Sequence, residues 1–145
     1  MKVLSGYAEW VWLMGKNIKD VENRSWSLAS RGIKRSQLPM HIYLHASKTK
    51  PPLHERTFIV RNLTYSQLME YRRIEWEKLR GSIIGEITIV DEIQADDIGI
   101  KESHSRWFFG KYGIVVKDGV LYNTQIPCRG KPGFFELEIK SKLPE

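Results

Sequence analysis

The chain cannot form an internal disulfide: its 145 residues hold a single cysteine, Cys128. That scarcity argues against a cross-linked secreted scaffold and predicts a cytoplasmic protein. Long apolar runs are also missing, and the opening Met1-Lys2-Val3-Leu4-Ser5-Gly6 turns polar too early for a secretory signal. Neither a membrane span nor a membrane partner is expected. His41, His45, His54, His104 and Cys128 show no metal-ligand spacing, so neither a metal nor a cofactor is expected. Gly130-Lys131-Pro132-Gly133 has the composition of a tight turn, not of a phosphate-binding loop. Repeats and low-complexity tracts are absent.

What is present is positive charge and aromatic surface. The net charge of +6 attracts polyanions before any specific contact forms. Five tryptophans accompany it, and aromatic faces beside cations are what base stacking uses. This combination favours nucleic acid over an acidic protein partner. The length suits a single domain, 1–145, with a real core.

Lys19-Asp20-Val21-Glu22-Asn23-Arg24-Ser25-Trp26 concentrates polar chemistry in eight residues. As a strand it sends Glu22, Arg24 and Trp26 to one face, with Lys19 at its entrance reaching over that face. The simple account is an ion pair beside a core tryptophan. The sharper one is that this face lines a site. Three other places gather similar groups: His45 to Lys48, Ser105-Arg106-Trp107-Phe108, and Cys128-Arg129-Gly130-Lys131. Together they would offer aromatic faces, several cations and one carboxylate, which suits a nucleobase carrying its phosphate.

Periodicity supplies the frame. Residues 2–5 predict a strand, and Tyr7 to Met14 a helix ended by Gly15, with Trp12 off the apolar stripe as a ligand contact or a loop-covered residue. Ser27 to Pro39 is a surface loop whose Arg31, Lys34 and Arg35 are either solvated or phosphate-facing. Met40 to Ala46 alternates, placing Ile42 and Leu44 inward and His41, Tyr43 and His45 on the other side. Phe58 to Val60 is too short to assign. Thr64-Tyr65-Ser66-Gln67 is a capping box opening a helix to Gly81, with Tyr65, Leu68, Met69, Trp76 and Leu79 as its buried stripe. Ser82 to Val90 alternates, and Asp91 to Glu102 is an acidic loop. Asp118-Gly119 between Tyr112–Val116 and Val120–Tyr122 predicts a hairpin, and Gly133 to Ile139 a final strand. The expected class is α+β: about five to seven short, mostly antiparallel strands curling into a small barrel with two or more flanking helices.

Nucleophilic catalysis has little sequence support. Cys128 has cationic neighbours but no assignable histidine, and Ser25, Ser47 and Ser105 lack a triad partner. Lys19 and Glu22 would serve as acid and base if the protein is an enzyme, and as an ion pair if it is not.

Trp10-Val11-Trp12, the Lys19–Trp26 stretch, Ile42 to Ser47, Gly81 to Gly85, Ser105-Arg106-Trp107, Gly110 and Cys128 to Gly133 occur in an order that resembles the ASCH domain, a branch of the PUA-like superfamily. The likeness runs from Leu4 to Leu137. It implies a PUA-like barrel whose cleft includes Lys19, Glu22 and Arg24, and recognition of RNA or a modified nucleoside as a binding module. Trp26 or Trp107 would stack, and Arg106, Arg129 and Lys131 would form a cationic rim. Asn17 replaces a frequent glycine, Glu9 a frequent proline, and the loop from Arg31 to His41 is longer than usual. Some ASCH-like proteins are amidohydrolases of acetylated cytidine with a threonine nucleophile three residues after the motif lysine; here that position is Glu22. A hydrolase of that kind acting through a Glu22-activated water, or a ribonuclease, is the alternative the resemblance leaves open.

Overall fold

The structure, a computed structural model, describes residues 1–96 and 105–138. Strand β1 (Lys2–Tyr7) runs directly into helix α1 (Ala8–Gly15), all of whose residues are buried. A helix enclosed on every side has no outward stripe. Trp12 is accordingly a core residue, set edge-on against Trp76 and Tyr71 at 5.6 and 6.3 Å, and not a ligand contact. Glu9 is tolerated at that depth because Arg80 grips both its oxygens, at 3.0 and 2.8 Å.

Strands β2 (Val21–Arg24), β3 (Met40–Ser47), β4 (Ser82–Gln94), β5 (Tyr112–Pro127) and β6 (Phe134–Glu136) complete one sheet among the described residues. Its order is β2-β5-β4-β3-β1-β6. Only β1 with β3 is parallel; the other neighbours are antiparallel. The class is α+β, a mixed sheet curled into half a barrel. Helices α2 (Leu53–Arg61), α3 (Tyr65–Arg73) and the single turn α4 (Trp76–Leu79) connect β3 to β4. No helix of the described residues is long and apolar enough to cross a membrane.

Several expectations need correction. Asp118-Gly119 makes no hairpin: β5 continues through it, and the pairing with β4 slips there. Asp118 does take the left-handed backbone (φ 57°) that favoured a turn, but the dipeptide forms a bulge. A Cβ on Gly119 would collide with Met14 O and lie 2.7 Å from Gly15 O, so only glycine lets β5 pass this close to α1. Asn17, itself at φ 63°, clasps the bulge by donating to Gly119 O at 2.9 Å and accepting from Gly119 N at 2.7 Å.

The capping box at Thr64 is present in both directions, with Thr64 N donating to Gln67 Oε1 at 2.9 Å. The helix it opens stops at Arg73, because Ile74 is extended. That break lets Trp76 turn inward against Tyr71, 4.9 Å away, while Tyr65 lies off the stripe and 79% exposed. Helix α2 was illegible because Ile59 is its only fully buried residue and Leu53 is exposed. The predicted acidic loop is strand as far as Gln94 and turn at 95–96; its remainder, 97–102, lies outside the described residues, as does Ile139.

Candidate functional site

A cleft of about 1170 Å³ opens where β1, β2 and the end of β3 meet the segment 127–133. Its floor comes from the Lys19–Arg24 stretch. Residues Ile18 and Lys19 fold back on the end of α1, both amides donating to Leu13 O. The chain then enters β2 with the Lys19 side chain turned inward. Glu22 follows on the same face and Arg24 two residues later, as strand alternation requires.

Lys19 Nζ donates to Glu22 Oε1, and Arg24 Nη2 donates to Glu22 Oε2 at 2.7 Å. The three side chains are 1%, 8% and 18% exposed respectively, so the cluster is a nearly dry block with one carboxylate between two cations. Burial pushes the Glu22 carboxyl up, but Lys19 and Arg24 outweigh it through charge and hydrogen bonding and hold it at about 2. Burial draws the Lys19 ammonium below its usual value, with Glu22 opposing. The carboxylate is the firmer charge of the pair, because two cations fix it. Lys19 Nζ also stands 4.6 Å from the centre of the Trp10 ring, whose Nε1 donates to Glu55 Oε1 at 2.9 Å.

Arg24 Nη2 makes a second contact, to Ser5 O at 2.9 Å. This contact joins the first strand of the sheet order to the fifth and marks where the curl closes over the site. The opposite wall is the turn 127–133. His45 Nε2 lies 2.7 Å from Cys128 O, and a Cβ on Gly130 would strike the imidazole. Glycine is what allows the turn to lie against that ring.

The cleft carries Lys19, Arg24, Lys48, Arg129 and Lys131 against Glu22 and Glu55. The last three of those cations are exposed. Phe109, 48% exposed, presents an aromatic surface to the opening while braced edge-on by Phe58 at 5.4 Å. Asn23 fixes that loop to β2, accepting from Phe109 N at 2.9 Å and donating to Trp107 O at 2.7 Å.

Of the residues singled out from sequence, Lys19, Glu22, Arg24, Arg129 and Lys131 share this cleft. Trp107 does not line it: it is 2% exposed, edge-on to Trp10 and Phe58 in the core, and cannot stack on a ligand. Trp26 lies past the end of β2, between Phe134 at 5.7 Å and the Arg31 guanidinium at 4.3 Å, outside the lining. Arg106 is exposed and likewise outside it. Cys128 lines the cleft, but burial pushes its thiol up, so its cationic neighbours do not make it a thiolate. No metal-ligand cluster occurs among the described residues. Sequence reasoning missed Phe109, although Phe108-Phe109-Gly110 beside Trp107 marked an aromatic loop. It also missed Ser5, which carried no signal.

No protein-family model matches the chain, and no curated protein matches it.

Proposed function

We propose that this cleft binds a single-stranded RNA segment or a modified nucleoside with its phosphate, as an ASCH-like, PUA-like module would. The supporting observation is the excess of cations in the cleft beside one exposed aromatic face. Arg129, Lys131 and Lys48, free to reach solvent, take the phosphates. Phe109 takes the stacking role expected of Trp26 or Trp107, since a base needs an open ring face. Lys19, Glu22 and Arg24 form a rigid polar floor, and Glu22 retains acceptor lone pairs for a base amine.

A hydrolase using Glu22 as its base is the weaker reading. A carboxylate held at about 2 by two cations has little affinity for a proton at neutral pH.

Anisotropy titrations with a short fluorescent RNA test the binding reading. Phe109→Ala should cost about 1–3 kcal/mol, the usual contribution of one stacked base. Arg129→Ala with Lys131→Ala should weaken binding and flatten its salt dependence, whereas the exposed Lys117→Ala on β5 should not. Equal affinity across all these variants would defeat the proposal.

A further inference from the structure

Ser5 and His45 are direct neighbours across the parallel β1–β3 ladder. The Ser5 hydroxyl oxygen lies 2.9 Å from His45 Nδ1, and Cys128 O lies 2.7 Å from His45 Nε2. A carbonyl oxygen can only accept, so Nε2 carries the ring proton. Nδ1 then offers its lone pair, and Ser5 donates to it. Burial lowers the His45 pKa, with the Cys128 hydrogen bond opposing, so the free base prevails at neutral pH. Both side chains line the cleft. A Cβ on Gly130 would collide with Cε1 and lie 2.6 Å from Nδ1, so glycine lets the turn pack on the ring without displacing it from Ser5. Hydroxyl, unprotonated imidazole and a fixed acceptor behind it form the relay that activates a serine, with a backbone carbonyl in the place a carboxylate often takes.

We propose that Ser5 is a nucleophile with His45 as its general base, and that the cleft hydrolyses a carboxylic ester whose alcohol part carries a phosphate. The alcohol part rests on the phosphate-binding reading above; the Ser5–His45 chemistry stands independently of it. Ser5 Oγ attacks the ester carbonyl carbon while its proton passes to His45 Nδ1. The resulting oxyanion forms on the Arg24 side, where the guanidinium, its Nη2 hydrogens held by Glu22 Oε2 and Ser5 O, stabilises it by charge. Collapse breaks the bond to the alcohol oxygen, which takes the proton from Nδ1 and leaves. Water then repeats the sequence on the acyl-serine, releasing the carboxylic acid and restoring both side chains. Cys128 O acts as a positioning group, holding the ring in the required tautomer.

Two probes test this. A fluorophosphonate should leave a covalent adduct on the Ser5 peptide by mass spectrometry; Ser5→Ala should abolish it and His45→Gln should slow it more than tenfold. O-acetylated adenosine and its 5′-phosphate should both be hydrolysed, with kcat/KM rising with pH to a plateau through a midpoint below 6.5, the ordinary histidine value. Arg129→Ala with Lys131→Ala should raise KM severalfold for the phosphate ester alone. Ser5→Ala removes one oxygen, and circular dichroism should show it folded. Absence of an adduct on the wild-type protein, or equal turnover in folded Ser5→Ala, overturns the catalytic assignment whatever the RNA titrations show. Labelling and turnover with no preference for the phosphate ester overturns the alcohol assignment and leaves Ser5 as nucleophile.

Discussion

Glu22 sits where burial alone would favour the neutral acid, yet Lys19 and Arg24 keep it ionised. A carboxyl whose pKa falls on folding adds stability that is fully present above its unfolded value. For Glu22 that contribution drains away as pH drops from 4.5, its ordinary value, through about 2. It is worth on the order of 3 kcal/mol. Urea unfolding should therefore show wild-type stability falling across that acid window. Glu22→Gln should be weaker at pH 7 by about 3–5 kcal/mol, since Lys19 loses its buried partner, and its acid dependence should be flatter. The Lys-x-x-Glu-x-Arg spacing made this cluster legible, because alternation puts Glu22 and Arg24 on one face and Lys19, at the strand entrance, reaches over it. The Ser5–His45 pair was not legible. It depends on two strands forty residues apart lying in parallel register, which local pattern does not encode. Phe109 was hidden for a related reason, since its exposure is set by a clasp from Asn23.

At the scale of elements, the turn signals were right about backbone and wrong about use. Left-handed Asp118 with Gly119 suits a hairpin, but β4 extends alongside and continued pairing converts the turn into a bulge pressed on α1. Gly119→Ala should lower stability by about 1–3 kcal/mol or more, because the added methyl meets backbone that cannot step aside. Asn17→Ala should cost about 2 kcal/mol through two lost hydrogen bonds and a strained left-handed residue, with Asn17→Gly recovering only the backbone share. Thermal unfolding of the three variants orders them. The capping box at Thr64 is legible because its donors and acceptors are local; Thr64→Ala should cost about 1 kcal/mol. The end of the helix it opens is not legible, because the break at Ile74 serves the packing of Trp76 on Trp12 and Tyr71 and not its own neighbours.

For the whole molecule, alternation was sufficient to predict a curled, mainly antiparallel α+β sheet. It was insufficient to place β1 beside β3 in parallel, a pairing that spans a long connection. The same curl gathers charge from distant segments into one cleft, so the proposed binding of RNA should be strongly electrostatic. Engagement of the three exposed rim cations predicts a slope of log K against log salt of about −2 for a single strand. Titrations at several potassium chloride concentrations measure it directly.

The floor of the cleft is made first, between Ser5 and Arg24, while the turn that covers His45 is made much later, at 127–133. During synthesis the two halves are separated by most of the polypeptide. A nascent chain stalled before Cys128 would display the Lys19–Glu22–Arg24 block without its covering turn and with His45 Nε2 lacking Cys128 O. Competence at this site therefore waits until residues 127–133 have been made.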